Sequence, residues 1–182
     1  MKLLRIISGI AILIIVSSAC KKDNSKPSNS INQKVLFQVE YLNYAWGYRH
    51  YGWLVDSDGN VCHFNQPKHW NFCDSTKSIS SDSLISNLSQ TDSIYFKIGQ
   101  DVLKSKSALI QSTALGEITK PEQLMFDAGI TQYSCFTYNS EKKIYTKVLI
   151  KQIGDTQCEN TSTSAVELYT WMQSINVQVF PK

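Results

Sequence analysis

Period-two alternation at two places constrains this chain more than any other feature. Val35, Phe37, Val39 and Tyr41 alternate with Leu36, Gln38, Glu40 and Leu42. Ile144, Thr146, Val148 and Ile150 alternate with Tyr145, Lys147, Leu149 and Lys151. Successive side chains of a strand point to opposite faces, so the first pattern predicts a strand with one buried face and the second a half-buried return strand. Each belongs to a hairpin. Residues 44–55 and 61–64 flank Asp56-Ser57-Asp58-Gly59-Asn60, an Asp-Gly turn, and residues 131–138 and 143–153 flank Asn139-Ser140-Glu141-Lys142.

Helical spacing fills the gaps. Ser81 or Asp82 is placed to cap a short helix carrying Leu84, Ile85 and Leu88, and a short strand is expected over 94–98. Val102, Leu103, Lys106, Leu109 and Ile110 fall on one face of a helix over 100–114. Ser164 and Glu167 read as a capping box for a last helix with the stripe Ala165, Leu168, Tyr169, Met172 and Ile175. Residues 177–180 then read as a closing strand. The expected class is α+β: an antiparallel sheet built from two hairpins with two to three helices packed on it.

The N-terminus is of another kind. Lys2 and Arg5 precede an apolar run from Ile6 to Val16, followed by Ser17, Ser18, Ala19 and Cys20. A charged start, a short apolar stretch and a small-residue exit make an export signal, shorter than the ~20 residues a spanning helix needs. Ser17-Ser18-Ala19-Cys20 resembles the lipobox of bacterial lipoproteins of the Bacteroidota type, with Ser17 where leucine is usual. The resemblance implies a signal peptide over 1–19 and acylation of Cys20, with the lipid bilayer as first partner. Residues 20–33 form a lipidated cysteine and flexible tether, and 34–182 form one globular domain. Lys21 stands where an aspartate would favour inner-membrane retention, so the resemblance implies an outer-membrane lipoprotein, its periplasmic or surface face left open. Two or more acyl chains hold a protein on a bilayer where one does so marginally.

Charge adds little beyond this. Removing residues 1–19 from the 182 leaves 163, and removing Lys2 and Arg5 from the 18 basic residues leaves 16 against 15 acidic ones. A near-neutral domain without a basic stripe argues against nucleic acid as a partner. An aromatic content of 11% excludes disorder of the whole chain.

With Cys20 assigned to lipid, Cys62, Cys73, Cys135 and Cys158 remain, and an exported domain sits where disulfides persist. Four cysteines allow three pairings, among which the local one, Cys62–Cys73 and Cys135–Cys158, ties each hairpin to the segment after it. A metal site from Cys62, His63, His69 and Cys73 is the alternative, weakened because neighbours on a strand point apart. Cys73 or Cys135 with His50 or His69 would be needed for a thiol nucleophile, and nothing local supports the pairing. Asp56-Ser57-Asp58-Gly59 reads as a hairpin turn before a calcium loop. No cofactor and no catalytic residue set is expected.

One segment stands out as a binding candidate. From Tyr41 to Trp53 the chain is dense in rings, and Tyr44, Trp46 and Tyr48 share one face of a strand. A bulge near Leu42-Asn43 would bury them, or a helix would cover them; left open, they would form a platform for protein or glycan. Ser75, Ser83 and Ser93 each follow an aspartate and precede threonine or an apolar residue, which resembles the acceptor of Bacteroidota O-glycosylation. These readings favour an envelope binding or accessory module. An extracytoplasmic hydrolase, or an inhibitor or immunity-type protein, is the alternative.

Overall fold

The computed structural model describes residues 32–180, so the signal peptide, Cys20 and most of the tether lie outside the described residues. Among the described residues the element order is β1 (Val35–Asn43), β2 (Arg49–Asp56), β3 (Asn60–Asn65), β4 (Ser78–Ser80), α1 (Ser81–Ser89), β5 (Ser93–Lys97), α2 (Gln100–Ser107) and α3 (Ile110–Ala114). There follow β6 (Glu122–Gln123), β7 (Ile130–Asn139), β8 (Ile144–Gly154), β9 (Thr156–Glu159) and α4 (Thr163–Val179). The nine strands form one antiparallel sheet in the order β5-β3-β2-β1-β7-β8-β9-β6, with β4 also on β8. The α+β class, with helices packed on an antiparallel sheet grown around two hairpins, is as expected. None of the described helices is long and apolar enough to cross a membrane.

β1 lies near the middle of the sheet and is buried on both faces from Val35 to Glu40. One face carries Phe37, Val39, Trp53, Val55, Val61, Tyr133 and Cys135, and α4 lays Ala165, Leu168, Met172, Ile175 and Val179 on it. Leu103 of α2 and Ile110 of α3 complete this helix face. The opposite face carries Val35, Leu54, Phe64, Phe136 and Tyr145, covered in part by Ile79 of β4 and Leu84 of α1. The expectation of one buried face therefore fails at Gln38 and Glu40, because α1 and the β3–β4 connection roof over their side of the strand.

Several local expectations shift. α4 is capped by Ser162, whose Oγ accepts the Ala165 N–H at 3.2 Å, instead of by a Ser164–Glu167 box. Glu167 pairs with Lys106 at 2.7 Å. α4 continues through Val177 to Val179, so the closing strand does not form. α1 starts one residue earlier than read, on Ser80, whose Oγ accepts the Ser83 N–H. The helix expected over 100–114 is two helices, broken at Ala108-Leu109. The Asp56 turn forms as expected: Asp56 Oδ1 accepts the N–H groups of Asp58 and Asn60 at 2.9 Å, and Gly59 supplies the left-handed φ of +86°.

Candidate functional site: a polar groove under an aromatic hairpin tip

The face away from α4 holds a buried charge cluster. Glu40 projects from β1, and its Oε1 lies 2.8 Å from His50 Nε2 on β2. Its Oε2 accepts from Lys147 Nζ on β8 at 2.7 Å, and the same ammonium donates to Gln132 Oε1 on β7 at 3.1 Å. Gln132 then donates to Gln152 at 2.8 Å. The register explains the convergence: Glu40 stands opposite Gln132 on β7, and His50 stands opposite Leu42, one diagonal step away. Burial raises the Glu40 carboxyl, but the Lys147 charge and the hydrogen bonds from His50 and Lys147 outweigh it and hold the pKa down at about 2. Glu40 is therefore ionised, and His50 Nε2 donates to it. His50 Nδ1 and Ser134 Oγ are buried without a partner.

This cluster floors an elongated groove. At one end a cavity of about 150 Å³ is bounded by Glu40, Lys147, Gln132, Trp70, Phe72 and Cys73. At the other a cavity of about 360 Å³ is bounded by Asn43, Tyr44, Ala45, Gly129 and Asp155, and the two share Glu40, Leu42 and Gln132. Gly129 shapes the second cavity. Its φ is +74°, and a Cβ there would come within 2.6 Å of the Leu42 carbonyl oxygen. Asp155 accepts the N–H groups of Ala128 and Gly129, which fixes that wall.

Tyr44 lines the second cavity, Tyr48 packs on its ring, and Trp46 lies between them in the same connection. They do not lie on a strand: β1 ends at Asn43, β2 begins at Arg49, and residues 44–48 form the connection, with Gly47 at φ +93°. No bulge forms near Leu42-Asn43, where the register runs unbroken, and no helix covers the rings. Their exposures of 69, 74 and 43% overturn the expectation that a bulge or a helix buries them. Buried Asn43 holds the tip: its Oδ1 accepts the Ala45 N–H at 2.8 Å, and its Nδ2 donates to the Asp127 carbonyl at 3.1 Å. From the tip, ring contacts lead inward. Tyr44 meets Tyr48 at 5.4 Å, Tyr48 meets His50 at 6.0 Å, and His50 meets Trp70 at 5.1 Å and Phe72 at 5.4 Å.

The disulfide expectation is overturned: Cys62, Cys73, Cys135 and Cys158 are all free thiols. Cys135 stands opposite Phe37 beneath the helices, whereas Cys158 stands opposite Gln152, on the groove face, so the sheet separates them. Cys62 lies beside Asp56 and Thr91, while Cys73 lines the groove near Lys147. Burial pushes the Cys135 thiol up to about 12 and Cys62 to about 11, which makes both inert at neutral pH. His63 stands opposite Trp53 and Cys62 opposite Leu54, so the two point to opposite faces, and no described group of three or more metal-ligating side chains is gathered at one point. Ser75 and Ser93 are exposed, whereas Ser83 is half-buried and its Oγ is engaged by Ser80 at 2.8 Å.

Glu40, Lys147 and Gln132 escaped the sequence reading. The available signal was a glutamate, with Gln38 as its polar neighbour on the same face, inside a strand otherwise apolar from Val35 to Leu42. Such a carboxylate must find a cation if the strand is central. Comparison with family models, curated proteins and solved structures finds no match for this chain.

Proposed function

We propose that the chain is a lipid-anchored binding module of the bacterial outer membrane that takes a glycan through the Tyr44–Tyr48 tip and the groove behind it. The carrying observation is a tip of three exposed rings, of which Tyr44 lines the second cavity and Tyr48 meets His50 beside Glu40. Aromatic faces give a saccharide ring large apolar contact, and polar groups locked by their own partners fix its hydroxyls without loss of side-chain freedom. Charges along the first cavity balance, Glu40 and Asp74 against Lys77 and Lys147, which suits a neutral ligand.

Placement supports the reading. The chain enters β1 at Val35 and reaches the tip nine residues later, about 30 Å away at the rise of a strand. Acylated Cys20 would thus hold the domain by one end and present the rings at the other. Binding is favoured over hydrolysis because a general acid needs a raised pKa. Glu40 is held at about 2, and Asp155 is occupied by backbone N–H groups.

Two experiments test this. A glycan array probed with the protein is expected to give signal on neutral oligosaccharides, lost in Trp46→Ala; silence across the array sinks the glycan reading. Fractionation of cells is expected to find the protein in membranes and Cys20→Ala outside them; a variant that stays membrane-bound contradicts lipid anchoring.

A further inference from the structure

A second concavity lies on the helix face, at the end α4 leaves uncovered. Its floor is two neighbouring rows of cross-strand residues. One runs Thr131, Tyr41, Tyr51, Asn65 across β7, β1, β2 and β3, and the next includes Val39, Trp53 and His63. α4 covers Trp53, then stops at Val179. The space left, about 400 Å³, is closed on one side by Asn176 and Phe180. That volume suits one small molecule.

The walls are aromatic and their polarity is fixed. Tyr41 and Tyr51 stack at 4.7 Å, and Phe180 meets Tyr51 at 5.4 Å and His63 at 5.5 Å, both edge-on. Asn176 Oδ1 accepts the indole N–H of Trp53 at 3.1 Å, so its amide nitrogen, with two donors, is the end left for a ligand. His63 Nδ1 lies 3.3 Å from Asp92 Oδ2, which leaves Nε2 as the ring nitrogen for a ligand. An amide donor and an imidazole nitrogen thus stand in one ring-lined cavity, each with its other polar end facing a partner outside it.

We infer that this cavity is a second binding site, independent of the groove, for a planar nitrogen heterocycle that packs against Tyr41, Tyr51 and Phe180, accepts from Asn176 and hydrogen-bonds to His63. Apolar aromatics would leave both polar ends unpaired, which a site of this kind rejects.

The test titrates the full chain with 2-aminopurine, a planar fluorescent heterocycle with both donor and acceptor, against naphthalene, which has neither. Saturable quenching is expected for 2-aminopurine, with naphthalene weaker by about tenfold or more. Asn176→Asp keeps the acceptor for Trp53 and removes the donor, and His63→Phe keeps a ring and removes its nitrogens. Each is expected to weaken 2-aminopurine by about tenfold with near-ultraviolet circular dichroism unchanged. Trp46→Ala is expected to leave it unaltered, which separates this site from the groove. Absence of saturable binding to the wild-type chain overturns the inference. So does naphthalene binding as tightly as 2-aminopurine, or full affinity in both folded variants.

Discussion

The two faces of the sheet use burial differently. Under α4 the core is apolar and interlocked: Phe37, Val39, Trp53 and Val55 meet Leu168, Met172 and Ile175, with Trp53 as the main polar handle. Across the same strands lies a face with a comparable degree of burial around Glu40 and His50, held by an ion pair and a chain of amides. An apolar face tolerates no loss of volume but needs no particular partner. A charged buried face is worth little net, yet losing one member strands the other. That difference teaches where to look for function: a fold that needed only stability would have filled the groove with hydrocarbon.

Substitutions can break this contrast. Phe37→Ala on the helix face is expected to cost about 3–5 kcal/mol in chemical denaturation, since the cavity cannot collapse under α4. Lys147→Met on the groove face is expected to cost about as much, by leaving the Glu40 carboxylate with His50 as its remaining partner. The faces part company in the double variant: Glu40→Leu with Lys147→Met is expected to recover most of the loss. A double variant no more stable than Lys147→Met would show that the cluster is not coupled as the distances indicate.

Acid gives the next, smaller effect. The folded Glu40 carboxyl is lowered from 4.5 to about 2, so it contributes stability that is fully present above pH 4.5 and lost as pH falls from there toward 2. Glu40→Gln is expected to flatten that limb of the stability profile relative to wild type. Equal acid slopes in the two proteins would contradict the assignment. Smaller still is the thiol effect. With no bond to break, reducing agent is expected to leave the melting temperature unchanged, and alkylation of the folded protein is expected to label half-buried Cys73 first. A melting temperature that falls on reduction would restore the disulfide expectation.

Much of the frame was legible in residue patterns because both hairpins and α4 carry strong periodicity. Alternation in 35–42 and 144–151 located the sheet's central strands, and the stripe from Ala165 to Ile175 located the helix that covers it. Short elements without periodicity were missed: β4 and β6 have three and two residues, and β9 is recognised by its pairing with β8. The site was half legible. Composition flagged Tyr44, Trp46 and Tyr48, but their placement on a strand failed because Gly47 turns the chain. The Glu40–Lys147 pair joins residues 107 apart, a contact no local pattern encodes. The cysteine pairing failed for a related reason: which face a cysteine occupies depends on register, and β8 carries an irregularity between its contacts with Tyr133 and Ser134.

The central claim, that the aromatic tip and the groove act as one glycan site, is tested most directly by titration calorimetry of neutral oligosaccharides against wild type and Trp46→Ala. Trp46 is 74% exposed, so its loss is expected to change stability by less than about 0.5 kcal/mol. The account predicts saturable binding by the wild type and a loss of about tenfold or more in the variant at equal stability. Equal heats in the two proteins, or none in either, would contradict it.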